Sequence, residues 1–427
     1  MRANLPRREC ARRVHTTAVS TDLEMRPATA PEFDAFYDSM SDTFFEGVFE
    51  VDVESERERF EPERSLTAWD AGSIVATGGI FSRQLTVPGG IVPMAGVTYI
   101  TVAPTHRRQG LLTRMLLRQF TDLHDGSAEA VAGLWASEGG IYGRFGYGSA
   151  APRALFTGSK PAFRPGTDLG TGRVRRVSKD ALRPHAEAVY EVLRPRTVGH
   201  LDRSPAWWDR RLMDPEHWRD GATPNRYVVH EEADGSITGF AVFRVKADWS
   251  GAESNSQVIV MDLSGTTPQA TARLWRFVLD LDLVSGFRRR LASPEEPVRY
   301  LVADPRTVKL EIVDSLWIRI VDLDRALAAR RYQVELDVVL EVTDAHCAWN
   351  VGRWRLTGGR DGADVRRTSG HADLSLSTTE LGAAYLGGTT LQALSAAGQV
   401  VEHTAGALRQ ASLAFGWDSA PWCPEVF

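Results

Sequence analysis

Over residues 97–102 the side chains alternate, with Val97, Tyr99 and Thr101 on one side and Thr98, Ile100 and Val102 on the other. These are β-forming residues, and Ala103-Pro104 ends the run. The period then changes. Leu112, Met115, Leu116, Phe120 and Leu123 recur at three- and four-residue steps, which predicts an amphipathic helix starting near Gly110. Strand-like runs over 65–69, 74–81 and 95–102, parted by Asp70-Ala-Gly and Pro88-Gly-Gly turns, form a meander leading into it. Ahead of the meander, a short strand over 22–27 precedes a helix over 32–49. There Phe33, Phe36, Tyr37, Met40, Phe44 and Phe45 sit at helical steps, with Asp34, Asp38, Asp42 and Glu46 between them. An apolar run over 128–136 reads as a further strand.

From Arg173 the pattern partly repeats. A strand over 173–177, a helix over 180–193, a segment with Trp207, Trp208 and Trp218, strands over 226–231, 239–245 and 258–263, and a helix over 268–280 follow in that order. The tryptophans read as core or as a subunit interface. A third region opens near Leu301. Half-buried strands are expected over 316–323, 332–342, 349–356 and 371–376, with a hairpin turn over 358–362 between the last two, and helices over 378–386, 390–397 and 406–415. The predicted organisation is therefore a disordered extension over 1–21, rich in arginine, and three units over 22–160, 161–300 and 301–427.

Length and composition limit the function classes. A chain of 427 residues, 43% hydrophobic and 25% charged, has ample material for two or three globular domains. A net charge of −5 argues against a nucleic-acid binder and is compatible with a cationic substrate. Cys10, Cys347 and Cys423 are odd in number and widely spaced, so neither a disulfide framework nor a metal motif is expected, and the compartment expected is the cytoplasm. No apolar run reaches 18 residues, and the N-terminus lacks a secretory apolar core, so neither membrane insertion nor export is expected.

The chemistry lies in the turn between the central strand and its helix. Arg107-Arg108-Gln109-Gly110 sits where helical N–H groups are unpaired and the helix dipole is positive, and a glycine there permits close approach, which together make a site for a pyrophosphate. A basic turn joining a surface strand to a helix is the alternative reading of those four residues alone. Downstream, Ser137-Glu-Gly-Gly-Ile-Tyr-Gly-Arg-Phe-Gly-Tyr147 follows the next apolar run. Strand, arginine turn, helix, strand and Tyr-x-x-Phe-Gly-Tyr in this order resemble the GNAT acetyltransferases, in which a tyrosine opens the last helix. Arg107 and Gly110 match the GNAT phosphate motif, and Leu112 stands where its second small residue belongs. With the wording Glu-Gly-Gly-Ile-Tyr-Gly-Arg-Phe-Gly-Tyr and Phe427 last in the chain, the sequence resembles the Eis (enhanced intracellular survival) family, which accepts that leucine.

That resemblance implies an α+β fold: tandem GNAT-like domains followed by a sterol-carrier-protein-like C-terminal domain. The second GNAT-like unit, with Ser264-Gly-Thr-Thr-Pro268 and no arginine in place of the phosphate turn, is read as degenerate and without cofactor. The third is read as a scaffold, since no long apolar helix is left to line a lipid tunnel. Acetyl-CoA is the implied co-substrate, held by Ile100, Thr101 and Val102 along the strand, by Arg107, Arg108, Gln109, Gly110, Leu111, Leu112 and Thr113 at the pyrophosphate, and by Ser137 and Glu138. Tyr142 is the implied general acid and the α-carboxylate of Phe427 the implied general base. The acceptor is a primary amine on a polycationic, aminoglycoside-like small molecule or a lysine, and a homohexamer is implied. In a GNAT fold the acids Asp34 to Glu46 meet a cationic amine or form a solvated helix face. A non-catalytic acyl-CoA or lipid binder is the reading from another class, and Tyr142 and Phe427 favour the enzyme over it.

Overall fold

The computed structural model describes residues 23–126, 128–250 and 254–427. The extension expected over 1–21 lies outside the described residues. The first unit contains β1 (Glu24–Arg26), α1 (Phe33–Phe44), α2 (Glu50–Arg57), β2 (Leu66–Asp70), β3 (Ser73–Val87), β4 (Gly90–Val102), α3 (Leu111–Gly126), β5 (Val131–Trp135), α4 (Gly139–Tyr142) and β6 (Tyr147–Ser159). The second contains β7 (Arg173–Val177), α5 (Lys179–Leu193), α6 (Pro205–Arg211), β8 (Arg226–Glu231), β9 (Ile237–Lys246), β10 (Gln257–Gly265), α7 (Pro268–Leu279) and β11 (Gly286–Ala292). With β12 (Val308–Ile320) these strands form one sheet of twelve, in the order β1-β2-β3-β4-β5-β12-β6-β11-β10-β9-β8-β7.

The two GNAT-like halves are thus one continuous sheet, joined where β6 pairs antiparallel with both β11 and β12. The strand β12 holds the alternating run expected at the head of the third region, but by pairing it belongs between β5 and β6 of the large sheet. The smaller sheet begins later, with β13 (Leu336–Thr343), β14 (Gly352–Gly358), β15 (Ala363–Arg367), β16 (Leu374–Ser377) and β17 (Val401–Glu402) in the order β15-β14-β13-β16-β17. The turn over 358–362 joins β14 to β15, not to the strand over 371–376. The charged run Ala363–Arg367 carries little apolar signal, which hid β15.

Three further expectations are corrected. The helix expected over 32–49 stops at Phe44, because Phe45 takes a left-handed conformation (φ 59°), and a separate helix α2 follows. On α3 the buried stripe runs through Leu111, Met115, Leu116, Gln119, Phe120 and Leu123, so Leu112 is only half-buried. Tyr142 is the last residue of the one-turn helix α4 and does not open it; a 3-10 turn over Gly143–Phe145 continues the coil and stops at the left-handed Gly146 (φ 82°).

The helix Thr378–Ala384, which follows β16, docks on the large sheet through a close backbone approach. A side chain at Gly148 of β6 would collide with the main chain of Thr379 and Ala383, and one at Gly382 would meet the carbonyl oxygen of Ile318 on β12. A single buried cluster therefore runs from Leu85, Met94 and Val131 through Leu316 and Ile318 to Leu340, Tyr385 and Phe415. No helix among the described residues is long and apolar enough to cross a membrane.

Candidate active site

The cleft originates in a bulge on β4. Thr101 pairs with Thr77 and Thr98 with Gly79, so Tyr99 and Ile100 together oppose Gly78 alone, and Tyr99 sits at φ 56°. Regular alternation puts Val97 and Tyr99 on one face. The bulge separates them: Val97 and Ile100 pack on the α3 side with Leu116 and Phe120, while Tyr99 packs with α1, edge-on to Phe36 at 5.5 Å. The Tyr99 hydroxyl donates to Glu56 Oε2 at 2.5 Å, and its carbonyl accepts from Thr77 Oγ1 at 2.7 Å.

On its other edge β4 pairs in parallel with β5 at three positions only: Met94 with Val131, Ala95 with Ala132 and Gly96 with Gly133. Beyond Gly96 the strands diverge, and a cavity of about 850 Å³ opens along the segment that holds Ile100, Thr101 and Val102. Arg107, Arg108, Gly110, Leu111, Leu112 and Thr113 line it, as do Ser137, Glu138 and Tyr142. Of the residues expected to contact the co-substrate only Gln109 is missing from the lining. Its side-chain amide donates to the Thr105 carbonyl at 3.3 Å.

The turn has the shape of an anion nest. Arg108 (φ 62°) and Gly110 (φ 79°) are both left-handed, which turns successive N–H groups toward one side. The first bond of α3 runs from the Arg114 N–H to the Gly110 carbonyl at 3.0 Å, so the N–H groups of residues 111–113 have no intrahelical acceptor. Arg107 Nε folds back on the Val102 carbonyl at 3.3 Å. At the matching place in the second unit Thr267 caps α7, accepting from the Ala270 N–H at 3.1 Å. A side-chain cap on that helix leaves fewer donors for a phosphate.

Tyr142 is 6% exposed, lies edge-on to Tyr147 at 5.9 Å and is hydrogen-bonded with Ser137. Burial holds its hydroxyl above the ordinary tyrosine value, against the lowering effect of Ser137. It is protonated throughout the neutral range. Phe427 is not in the lining of this cavity. Its ring rests on Gly96, the last residue of β4 paired with β5: a methyl built there would stand 3.2 Å from the ring, 3.3 Å from Arg83 Cγ and 3.3 Å from the Phe81 carbonyl oxygen. Phe427 thus stands where the two strands part.

The chain reaches that point tied down at several places. The Ala420 N–H donates to Glu295 Oε2 at 3.1 Å, the Trp422 N–H to the Val198 carbonyl at 3.1 Å, and Arg211 Nη1 to the Pro424 carbonyl at 3.3 Å. Cys423 is fully buried, and Glu425 is paired with Arg203. Burial raises the Glu425 carboxyl, but the guanidinium of Arg203, with Arg211 and Arg83, more than offsets this and holds it below the usual range. The burial expected of this aromatic tail is present, although Val426 stays exposed.

Sequence reasoning missed Thr43, Phe44, Phe45, His106, Ile141, Arg144 and Phe145, which complete the cavity. Phe44 and Phe45 stand in the sequence only as part of the aromatic stripe of the helix expected over 32–49, which gives no sign that they face the cleft. Asp34, Asp38, Asp42 and Glu46 are exposed, the solvated-face reading, and Asp34 pairs with Arg57 at 2.6 Å. The acids that turn inward come from α2. Asp52 lies 2.7 Å from His217 Nε2, and Glu56 lies 2.6 Å from Arg59 Nη2.

A strand bulged and splayed beside a left-handed arginine turn, on a sheet of this order, defines an acetyl-CoA-using N-acetyltransferase of the GNAT class. Family models described as acetyltransferase (GNAT) domain match residues 24–150 and 199–320, and a sterol carrier protein domain matches residues 323–424. The chain is 45% identical to an uncharacterized N-acetyltransferase of Streptomyces coelicolor, covering 95% of this chain and 100% of that protein. To the N-acetyltransferase Eis of Mycobacterium tuberculosis it is 32% identical, covering 87% of this chain and 94% of the other. The crystal structure of Eis1 from Mycobacterium abscessus superposes with a TM-score of 0.81 at 32% identity, over 95% of this chain and 100% of that one. The chain belongs to the Eis family of GNAT N-acetyltransferases.

Proposed function

We propose that the chain moves the acetyl group of acetyl-CoA directly onto a primary amine, with Tyr142 as general acid and the α-carboxylate of Phe427 as general base. The observation that carries this reading is that Tyr142 lines the same cavity as Ile100–Val102 and the arginine turn, while Phe427 rests on Gly96 where β4 and β5 part. The phosphates lie on the turn from Arg107 to Thr113, and the thioester arm lies along the open edge of β4.

The amine nitrogen attacks the thioester carbonyl carbon, a C–N bond forms, and the C–S bond breaks. The thiolate takes the Tyr142 proton, and solvent later restores it. A thiol near 8.5 and a tyrosine near 10 differ by about 2 kcal/mol, which burial of Tyr142 increases but collapse of the intermediate absorbs. A terminal carboxylate near 3.5 cannot strip an ammonium near 10.4, a gap of roughly 9 kcal/mol. It accepts the proton after attack, when the nitrogen is far more acidic, directly or through a water.

The acceptor classes that the family resemblance brings forward are polycationic, aminoglycoside-like amines and lysine side chains. A hexameric assembly is part of the same reading, tested by light scattering after gel filtration. A reducing cytoplasm suits the buried, unpaired Cys347 and Cys423. The decisive assay is CoA release against a panel of aminoglycosides, diamines and lysine peptides, with Tyr142→Phe alongside. That variant keeps its affinity for acetyl-CoA and loses turnover by about 10²-fold, the scale of a lost general acid. Turnover within twofold of wild type would make Tyr142 structural.

A further inference from the structure

The second unit keeps the strand half of an acetyl-CoA groove and lacks the phosphate half. β10 carries a bulge at Met261, since Val260 pairs with Phe243 and Asp262 with Val242. Its parallel pairing with β11 joins 257–260 to 286–289 and then stops, as that of β4 with β5 stops at Gly96. At the head of the next helix the Thr267 cap stands where the first unit has its arginine turn. Beyond the last β10–β11 pair the chain's own C-terminus is present. Met261 and Asp262 of β10, Leu291 of β11 and Glu425 of the tail border one small cavity of about 190 Å³.

Arg211 spans the gap between strand and tail. Its Nη2 donates to the Met261 carbonyl at 3.4 Å and to Asp262 Oδ2 at 2.8 Å, while its Nη1 donates to the Pro424 carbonyl at 3.3 Å. One planar guanidinium thus joins the bulge of β10 to the tail, a bridge that the point charge of an ammonium does not make. One residue on, Glu425 pairs with Arg203, and both side chains are buried. Arg203 in turn lies over the Tyr190 ring at 3.7 Å and the Trp208 ring at 4.6 Å, which fixes its place and so that of the carboxylate. From Glu425 to Phe427 the chain reaches no more than roughly 7 Å, at about 3.3–3.6 Å per residue. The Phe427 ring rests on Gly96, so this short segment runs from the splay of one unit to the splay of the other.

We infer that the second GNAT-like unit is a seat for the C-terminus: the groove that takes the thioester arm in the first unit takes Pro424 and Glu425 in the second. Arg211 and Arg203 are positioning residues that set the α-carboxylate of Phe427 in the active site. The inference rests on the acetyl-transfer reading above for the role of that carboxylate. It accounts for a unit that has no phosphate turn yet keeps a bulged and splayed strand pair, and for a glutamate buried two residues from the end of the chain.

The test reads release of Phe427 by carboxypeptidase A alongside steady-state kinetics, both on the full chain. From the wild type, phenylalanine is released about 10²-fold or more slowly than from a synthetic peptide of residues 420–427, because cleavage waits for the tail to leave its seat. Arg211→Lys keeps the charge beside Asp262 but loses the second contact, and Glu425→Gln removes the pair with Arg203 at nearly constant shape. Each variant releases phenylalanine about tenfold or more faster than the wild type. Each also lowers kcat by about tenfold or more with KM for acetyl-CoA within about twofold, since a displaced base is costly and the phosphate turn is untouched. Release from the wild type at the peptide's rate, or release unchanged in both folded variants, overturns the proposal. Faster release with kcat at the wild-type value keeps the seat and removes the Phe427 carboxylate from the chemistry. Faster release from a chain that acetylates no amine keeps the seat while the acetyl-transfer reading fails. The comparison of wild type with peptide needs no variant, so the proposal can still fail where a change in a buried pair prevents folding.

Discussion

An L-residue at φ 62° gives up on the order of 1–2 kcal/mol relative to a relaxed backbone, and Arg108 holds that conformation beside the left-handed Gly110. That conformation aims the N–H groups of the turn to one side, and no hydrogen bond or ion pair of the Arg108 guanidinium is seen among the described residues. Two substitutions separate the side chain from the backbone. Arg108→Ala removes a charge-assisted bond to phosphate and keeps the strain, so acetyl-CoA binding weakens by about 1.5–3 kcal/mol. Arg108→Gly loses the same affinity but relaxes the turn, and melts higher than the alanine variant. Calorimetry with acetyl-CoA and paired urea curves read both quantities, and unchanged affinity in both variants removes the turn from the binding site. At this scale the sequence was most legible: Ile100 to Val102, the arginine turn, Ser137, Glu138 and Tyr142 meet in one cavity, because local order in the chain already put them on adjacent elements. Phe44 and Phe45 were not found, since they arrive from a helix whose packing only the folded chain defines.

The elements were readable by type and less so by shape. The strand and helix around Gly110 follow directly from the change of period, whereas the bulge at Tyr99 leaves no mark in the hydrophobic pattern. One inserted residue reverses the faces, so Tyr99 packs on α1 where regular alternation puts it with Val97. Helix α2 was missed because Glu50–Arg57 offers only Val51 and Val53 as apolar signal. The splay of β4 from β5 gives an element-scale prediction at Gly96. A methyl there meets the Phe427 ring, Arg83 and the Phe81 carbonyl at 3.2–3.3 Å, closer than comfortable packing allows. Gly96→Ala therefore costs about 1–3 kcal/mol of stability by overpacking and displaces the end of the chain. The expected kinetic result is a fall in kcat with acetyl-CoA affinity nearly unchanged, since the phosphate turn is untouched. A kcat equal to wild type in a folded variant means that the position of Phe427 does not matter to the chemistry.

The whole molecule is held together by segments far apart in sequence, and this part was least legible. β12 enters the large sheet between β5 and β6 after the second unit has been completed, and alternation alone cannot say which sheet a strand joins. The tail closes the assembly over His200, whose ring stacks on Tyr190 at 5.4 Å and meets Trp422 edge-on at 4.9 Å. Burial, reinforced by Arg203, pushes that imidazole down to about 3. The folded value lies below the unfolded one near 6.5, so its contribution is complete above pH 6.5. It declines as pH falls, because the unfolded chain takes up a proton that the fold refuses, at about 1.4 kcal/mol per pH unit, or about 2 kcal/mol by pH 5. His200→Phe flattens the slope of urea stability between pH 7 and pH 5, and parallel slopes would assign the acid sensitivity elsewhere. The same tail permits a sharper test of the proposed base. Gly-Ser added after Phe427 keeps every side chain, including the ring on Gly96, but carries the carboxylate away by up to roughly 7 Å at about 3.3–3.6 Å per residue. Proton transfer requires hydrogen-bond reach, so turnover at saturating acetyl-CoA collapses while the melting curve and acetyl-CoA affinity stay near wild type. Deleting Phe427 is a poorer experiment, since it also removes apolar packing of about 1.5–3 kcal/mol. Near wild-type turnover of the extended protein transfers the base to a side chain. Glu425 is then excluded by its buried pairing with Arg203, and the acids of α1 by their exposure. Glu56, which accepts the Tyr99 hydroxyl at the bulge, becomes the residue to mutate.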